Sequence, residues 1–291
     1  MSRSEPSQKS GDQRRTIYDL GANNGDDIPY YLLKGDLVVA VEASPALAAG
    51  LRERFAAEIA ANRVAVENCV LTIDPAVTEV PFFLHRANHL LSQLPRPASG
   101  VLGEFDETVL PAATFSALAA RHGDPYYVKI DLEGYDDVIL QEIFRSGVFP
   151  SYISAEAHTI DVFCTLVALG GYHAFKLVEG EFVGRDYAAH PIATGTGKDG
   201  GTQVYKFPCP HSSGPFGNDV KGPWMDRALF LRYLAHVGPG WIDIHASRVD
   251  PPADLRVRKL AELSAGLLQQ VGMRLDSDRV TALGRRLWGQ G

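Results

Sequence analysis

From Thr16 onward, short apolar runs alternate with polar loops and with segments long enough for a helix. In the segment after Ser44 the apolar residues recur every four positions, as they do on one buried face of a helix. Such alternation of strands and helices is typical of βαβ units around a parallel sheet. The predicted strands are Thr16–Leu20, Leu37–Glu42, Val64–Leu71, Tyr126–Ile130 and Tyr152–Ala155, with Val80–Leu84 as an additional strand.

The alternation stops near residue 207, where the composition changes. Residues 173–178 and 202–207 are predicted to form a final antiparallel pair of strands. Residues 208–224 are rich in Pro, Gly and Ser, which predicts a loop. Helices are predicted at 225–235, 253–271 and 277–288, and the apolar stripe of the second would serve core packing or a homodimer contact.

This pattern divides the chain into segments of different character. Residues 1–15 are polar and are predicted to be a disordered leader. Residues 16–207 hold an α/β domain, and residues 208–291 hold a lid-like loop and a helical C-terminal extension. Phe216 and Trp224 stand on a Gly/Pro frame in that loop. They could form a lid over a ligand or simply pack on the edge of the sheet.

The composition narrows the class of protein. A chain of 291 residues with 45% hydrophobic residues can bury a sizeable core. Its net charge of -7 disfavours a nucleic-acid partner, which needs clustered Lys and Arg. No apolar run is long enough for a membrane helix, so no membrane partner is expected. The three cysteines form no CxxC pair, which is typical of free thiols in a reducing cytoplasm and predicts a cytoplasmic protein.

A glycine-rich loop, Gly21-Ala22-Asn23-Asn24-Gly25, follows the first predicted strand and opens a helix. Glu42 ends the next strand, where an acid can bond both hydroxyls of a ribose. The dinucleotide fingerprint G-x-G-x-x-G is absent, and Asp26 and Asp27 occupy the helix start, where they would repel a pyrophosphate. With Asp19 one strand position earlier, the loop is acidic. It therefore favours a ligand that carries a nucleoside and positive charge over a nicotinamide or flavin dinucleotide.

Three motifs in this order resemble the FkbM family of S-adenosylmethionine-dependent methyltransferases. They are Asp19-Leu20-Gly21-Ala22-Asn23-Asn24-Gly25, Val41-Glu42-Ala43-Ser44-Pro45 and Lys129-Ile130-Asp131-Leu132-Glu133-Gly134-Tyr135-Asp136. The resemblance covers about residues 16–207. It implies a Rossmann-like class I methyltransferase fold, with a seven-stranded, mostly parallel sheet whose last strand is reversed, in agreement with the antiparallel pair expected at 173–207. It also implies S-adenosyl-L-methionine as the cofactor.

Carried over residue by residue, the resemblance implies cofactor contacts in the glycine-rich loop and at the ends of two strands. Ser44 is either such a contact or only the N-cap of a helix. Asn68 and Cys69 lie near the third strand, where such folds touch adenine, and are otherwise buried strand residues. The matches to the loop that holds the methionine end are Asp19, Gly21, Asn23 and Gly25, and the match to the ribose-binding acid is Glu42.

Acids and a histidine follow the fourth and fifth predicted strands, where open α/β sheets bind ligands. Methyl transfer to an alcohol needs the hydroxyl proton removed by a general base or a metal. The candidates for catalysis are Asp131, Glu133 and His158. Asp131, Glu156 and His158 could bind one divalent ion, although the loose spacing of these ligands does not favour a metal. Lys129 and Glu133 could instead form a structural ion pair, and His158 could be a hydrogen-bonded structural histidine.

The sequence therefore predicts an S-adenosylmethionine-dependent methyltransferase that methylates a hydroxyl of a small, sugar-like or secondary-metabolite acceptor. Two other classes stay open. A non-catalytic nucleoside-binding protein on the same fold would bind the cofactor and transfer no methyl group. A nicotinamide-dependent oxidoreductase is less favoured, because it would need the missing glycine pattern and a helix start that accepts phosphate.

Overall fold

The computed structural model describes residues 14–183, 186–187, 192–193, 203–208, 212–238, 241–253 and 283. Strands and helices alternate through most of these residues. The strands are β1 (Thr16–Leu20), β2 (Leu37–Val41), β3 (Val64–Glu67), β4 (Val70–Leu71), β5 (Glu79–His85), β6 (Phe105–Ala113), β7 (Pro125–Ile130), β8 (Tyr152–Glu156), β9 (Ala174–Glu179), β10 (Ile192–Ala193), β11 (Val204–Tyr205), β12 (Met225–Asp226) and β13 (Ile242–Ser247). The helices are α1 (Ile28–Lys34), α2 (Pro45–Arg54), α3 (Ala56–Ala60), α4 (Phe115–His122), α5 (Asp136–Arg145), α6 (Asp161–Ala168), α7 (Gly180–Val183) and α8 (Arg227–Val237).

The central sheet has eight strands in the order β12-β9-β13-β8-β7-β1-β2-β3. Each neighbouring pair among β3, β2, β1, β7 and β8 is parallel. β13 runs antiparallel to both of its neighbours, β8 and β9. The predicted mostly parallel α/β sheet with a reversed strand is thus confirmed, and the two-residue β12 is added to the seven strands expected.

The reversed strand is not where the sequence placed it. The predicted antiparallel pair at 173–178 and 202–207 is wrong, because β9 pairs with β13 and β11 pairs with β10. The predicted helix at 225–235 corresponds to α8, but β12 and β13 on either side of it belong to the central sheet. The C-terminal segment therefore completes the sheet and is not simply a helical extension that begins at residue 208.

The predicted strand Val64–Leu71 is divided in two, because the chain leaves the central sheet between β3 and β4. There the Asn68 side-chain amide donates to the carbonyl oxygens of Glu42 and Ala43, at 2.8 and 2.9 Å. β4 then pairs with β6, and β6 forms a long antiparallel hairpin with β5. This small second sheet, β4-β6-β5, stands beside the carboxyl ends of β1 and β2.

One face of the central sheet is covered by helices. The side chains of α4, α5, α6 and α8 form a continuous apolar cluster with alternate residues of the strands. Thr114 caps α4 by accepting from the amide of Ala117, and Asp226 caps α8 by accepting from the amide of Leu229. Ile242, Ile244 and Ala246 of β13 point into this cluster, which explains why β13 is held inside the sheet.

The opposite face is covered by α1, by α2, by Phe207 and by the segment 212–224. Phe216 stacks on Tyr127 of β7 with 3.9 Å between ring centroids, and Trp224 is buried. Asp219 accepts from Tyr30 at 2.7 Å and from Lys34 at 2.9 Å. Phe216 and Trp224 are therefore core residues of the sheet domain: of the two alternatives, packing on the sheet is observed, on its face rather than its edge, and the lid is not.

Some predictions fall on residues outside the described part of the chain. They are the helices at 253–271 and 277–288, with the homodimer contact suggested for the first of them, and residues 1–13 of the predicted leader. Within the described ranges, no helix combines the length and the apolarity that crossing a membrane requires.

Candidate active site

A cleft opens at the carboxyl ends of β1, β2 and β7, which is the edge where open α/β sheets bind ligands. Its empty space is about 940 Å³, counted out to the open mouth. One wall is the glycine-rich loop and the turn after β7, and the other is the hairpin of β5 and β6 with its excursion at residues 89–94. The lining residues that the sequence predicted are Gly21, Asn23, Glu42, Cys69, Asp131 and Glu133.

Gly21 sits where β1 ends and the chain turns under the cleft. Its φ of +84° lies in the left-handed region, and a Cβ added there would lie 2.0 Å from the carbonyl oxygen of Asp131. The backbone of β7 approaches this closely because the Asp131 amide donates to Leu20. Only glycine tolerates both the conformation and the contact. Gly21 thus brings the loop and the acidic turn after β7 to the same side of the cleft.

Gly21→Ala is expected to lower the free energy of unfolding by about 3 kcal/mol, because both the backbone conformation and the contact with β7 become strained. Chemical denaturation measures the change. Gly50→Ala on α2 is the matched control, since its added Cβ meets nothing within 4 Å and a helical alanine is favoured over glycine. A Gly21→Ala protein as stable as the wild type would contradict the role given to the close approach.

Glu42 follows β2 and is buried at the cleft wall. One carboxylate oxygen accepts from the Asn23 amide and the other from the Ser44 amide, each at 2.8 Å. Burial raises the pKa of Glu42, and these two hydrogen bonds oppose that rise. The carboxylate is therefore fixed in direction, and each oxygen retains a lone pair that can accept from a hydroxyl in the cleft.

Other predicted cofactor residues support the cleft without lining it. Ser44 is the N-cap of α2, where its hydroxyl accepts from the Leu47 amide at 3.5 Å. Gly25 packs against α2, because a Cβ there would lie 2.6 Å from Leu51.

Asn68 holds the chain after β2 and Asp19 is buried behind the loop, where burial raises its pKa to about 7. Cys69 does line the cleft, and burial raises the pKa of its thiol to about 12.

The two acids at the start of α1 both have partners in the protein, and the charge of Asp26 is balanced by an arginine. Asp26 forms an ion pair with Arg54 at 2.9 Å. Asp27 is buried and accepts from the Ser212 hydroxyl and from the Ser213 amide. Both acids border the cleft, but these partners occupy their carboxylates. Asp27 ties the cleft to the 212–224 segment on the sheet face.

Lys129 lies beneath the cleft as a buried cation of β7. Its ammonium lies 3.2 Å from Asp131 and 3.6 Å from Asp19, and it also donates to the carbonyl of Gly21. The predicted structural pair of Lys129 with Glu133 is thus replaced by a pair with Asp131. Although burial lowers the pKa of Lys129, the neighbouring carboxylates raise it well above its usual value, so the ammonium stays charged.

Acids crowd the ends of β7, β8 and β13. Burial, followed by the charge of Asp131, raises the pKa of Glu133 to about 7 and the pKa of Glu156 to about 9. Asp243 on β13 is the cross-strand partner of Glu156, and the same two causes raise its pKa to about 8. This edge of the sheet therefore carries more carboxylates than Lys129 can balance, and it favours a cationic ligand.

His158 follows β8, and its Nε2 lies 3.1 Å from a Glu156 oxygen. Glu133, Glu156 and His158 each offer one ligand atom, and these atoms all lie within 4.8 Å of one another. That spacing would suit one divalent ion with open positions. Asp131 was predicted as the third ligand, but the structure brings Glu133 to that place and directs Asp131 to Lys129.

Glu156→Gln is expected to stabilise the protein increasingly as pH rises from 5 to 9, measured with a chelator present. The native carboxyl has a pKa of about 9 against an ordinary value of 4.5, so in this window the folded state holds a proton that the unfolded state releases. Wild-type stability therefore falls as pH rises through the window, and glutamine removes that part of the fall. Melting temperatures at several pH values test this against Glu53→Gln on the exposed side of α2. If the melting temperatures of the wild type and Glu156→Gln differed by the same amount at every pH, the expected pH dependence would be contradicted.

The sequence did not identify several residues of the site. Asp243 was missed because β13 was not predicted, although Ile242, Ile244 and Ala246 alternate with polar residues. The excursion between β5 and β6 was not predicted to belong to the site. It supplies His89, Ser92, Gln93 and Leu94 to the second wall, beside Phe82 of β5.

Residues 19–164, just over half of the chain, match the family model described as the Methyltransferase FkbM domain. None of the curated proteins matches significantly.

Several solved structures are similar to the chain at low sequence identity. Methyltransferase FkbM from Methylobacillus flagellatus KT is 15% identical with a TM-score of 0.39, over 58% of this chain and 42% of that one. Precorrin-6y C5,15-methyltransferase from Geobacter metallireducens GS-15 is 14% identical with a TM-score of 0.31, over 66% and 75% of the two chains. Geranyl diphosphate methyltransferase in complex with SAM is 11% identical with a TM-score of 0.36, over 81% and 79%. The chain thus spans less than half of the first of these proteins.

Proposed function

The chain belongs to the FkbM methyltransferase domain family, and from this premise we propose that it transfers a methyl group from S-adenosylmethionine to a hydroxyl of a small, sugar-like or secondary-metabolite acceptor. The observation that carries the proposal is the cleft itself. The oriented carboxylate of Glu42 lies at one end of the cleft, after β2, and the acidic turn after β7 lies at the other end. A nucleoside that also carries positive charge complements both ends.

The residues of the cleft fit this cofactor. The carboxylate of Glu42, fixed by two backbone amides, can accept from the two ribose hydroxyls. The side-chain oxygen of Asn23 is buried at the cleft wall and has no hydrogen-bond partner among the residues that the structure describes, so it can accept from an ammonium. Asp131 and Glu133 supply negative charge beside the loop. When bound, S-adenosylmethionine supplies an electrophilic methyl group.

Glu133 is our candidate for the general base. It lines the cleft, and its pKa of about 7 suits proton transfer near neutral pH. Its backbone φ of +50° is rare for a residue other than glycine, which indicates that the turn holds this side chain in a demanding position. Removing the proton from the acceptor hydroxyl makes its oxygen a better nucleophile.

Asp131 and His158 have supporting roles in this proposal. Asp131 pairs with Lys129, so its carboxylate is fixed at the cleft wall and orients the bound groups. His158 lies beside Glu156 at the outer end of the acidic cluster, where it can bond the acceptor. Most of the catalysis is expected from holding donor and acceptor in line, since methyl transfer is a direct displacement.

The test is transfer of a labelled methyl group from S-adenosylmethionine to a panel of glycosides, phenols and aliphatic alcohols. We expect label on a hydroxyl oxygen of at least one neutral acceptor and on none of the matched methyl ethers. Cofactor binding without transfer to any acceptor would favour the non-catalytic alternative. Tight binding of NADH in place of S-adenosylmethionine would favour the oxidoreductase.

A further inference from the structure

Trp241 stands at the edge of the sheet that carries the acidic cluster, one residue before β13. The Gly180 amide donates to the Trp241 carbonyl at 3.0 Å, and the Ala157 amide donates to the Ile242 carbonyl at 2.8 Å. Asp243 pairs with Glu156 in the antiparallel ladder. Continuing that register by two residues sets Trp241 opposite His158.

Side chains two residues apart on a strand share a face, so Trp241 lies on the same face of the sheet as Asp243. The Nε2 atom of His158 lies 3.1 Å from a Glu156 oxygen, so the imidazole lies with the Glu156 carboxyl. Directly opposed residues of an antiparallel pair have Cβ atoms roughly 5 Å apart. The backbone of Trp241 therefore lies across from His158, at the edge of the sheet that carries the acidic cluster.

Gly180 shows how the indole is held. A Cβ added to Gly180 would lie 2.4 Å from Cε2, 2.4 Å from Nε1 and 2.6 Å from Cδ2 of Trp241. Cε2 is a ring-fusion atom with three bonded neighbours in the ring plane, so an approach this close comes from above or below the plane. The backbone of Gly180 thus supports one face of the indole.

The rest of the Trp241 side chain is open. The residue is 63% exposed, whereas Trp224 is 6% exposed in the core. A large aromatic side chain that is supported on one face and open to solvent buries apolar area only when a ligand covers it. On the other side of β13 from Gly180, the residues Glu133, Glu156 and His158 offer several hydrogen-bond acceptors within a small space.

We propose that Trp241 is the acceptor platform of this site and that it stacks against the ring of an uncharged pyranoside. The proposal rests on the proposed methyl transfer and narrows its acceptor. A pyranoside offers an apolar CH face to the indole and several hydroxyls to the neighbouring carboxylates. A phenol offers one hydroxyl only, and an anionic sugar would be repelled by the acidic cluster.

Intrinsic tryptophan fluorescence tests the platform without requiring activity. Neutral methyl pyranosides are titrated into the wild type, Trp241→Ala, Gly180→Ala and the control Leu231→Ala, an exposed apolar position on α8. We expect a saturable change in emission for the wild type and the control. It is expected to be lost in Trp241→Ala and weakened about tenfold in Gly180→Ala, whose added methyl group displaces the indole. Methyl glucuronides and phenols are expected to produce no such change.

A change that persists in Trp241→Ala, an absent change in the wild type, or a response to phenols alone would overturn the platform. Calorimetry of S-adenosylmethionine on the same variants separates this proposal from the one it rests on, because Trp241→Ala is expected to keep wild-type cofactor affinity. Loss of cofactor binding in the wild type would remove the methyltransferase proposal, and a pyranoside response that depends on Trp241 would still support the carbohydrate site.

Discussion

Glu133→Gln is expected to lower kcat for methyl transfer by about 10³-fold, because glutamine keeps the size and the hydrogen bonding of the side chain but cannot take a proton. Glu133 is positioned by a turn with φ of +50°, and burial together with Asp131 raises its pKa to about 7. As a general base, Glu133 can accept a proton only when it is itself deprotonated. Wild-type kcat should fall as pH drops below about 7, and Glu133→Gln should lose this dependence.

The measurement is a pH profile of kcat with single-turnover rates, accompanied by the Kd for S-adenosylmethionine. Asp124→Asn is the matched control, since Asp124 is exposed at the opposite end of β7 and does not line the cleft. Near wild-type kcat in Glu133→Gln would remove Glu133 as the base. A loss of kcat with an unchanged pH profile would mean that Glu133 only positions other groups.

Glu42→Ala is expected to weaken the binding of S-adenosylmethionine by at least about 100-fold. A hydrogen bond to a charged group contributes about 1.5–3 kcal/mol, and the carboxylate can accept from two ribose hydroxyls, so about 3 kcal/mol or more is lost. The same carboxylate orders the amides of Asn23 and Ser44, so the cleft wall loses part of its shape as well.

Calorimetric titration measures this effect, with Glu53→Ala on the exposed side of α2 as the control. Because Glu42→Ala leaves two amides without their acceptor, Glu42→Gln is measured beside it. Glutamine keeps one acceptor oxygen, and its affinity should lie between those of the wild type and the alanine variant. Wild-type affinity in both variants, with intact folding, would show that the ribose is not bound at the end of β2.

The strands in the first half of the sheet could be predicted from the sequence because each is marked by a short stretch of neighbouring residues. Thr16–Leu20 is a short, mostly apolar run, and the observed β1 has the predicted bounds. The glycine-rich loop, Glu42 and Asp131 follow strand ends, and parallel strands bring their carboxyl ends to one edge. The family resemblance, carried by the same motifs, was confirmed.

The second half of the sheet was harder to predict because its strands pair with strands that are distant along the chain. β13 inserts between β8 and β9, and residues 180–241 separate it from the end of β9. A six-residue strand gives a weak periodic signal, and the Gly/Pro-rich segment before it could be a lid or could pack on the sheet. Asp243 and Trp241 were missed with it. The ion pair of Lys129 with Asp131, and the place of Glu133 beside Glu156, depend on side-chain directions that spacing along the chain does not determine.

The central claim is that the cleft between β1, β2 and β7 binds S-adenosylmethionine through Glu42. Isothermal titration of the folded chain with S-adenosylhomocysteine, the product form of the cofactor, tests it most directly. We predict saturable one-to-one binding by the wild type that is weakened at least about 100-fold in Glu42→Ala. No detectable binding of either S-adenosylhomocysteine or S-adenosylmethionine by the folded wild-type protein would contradict the claim.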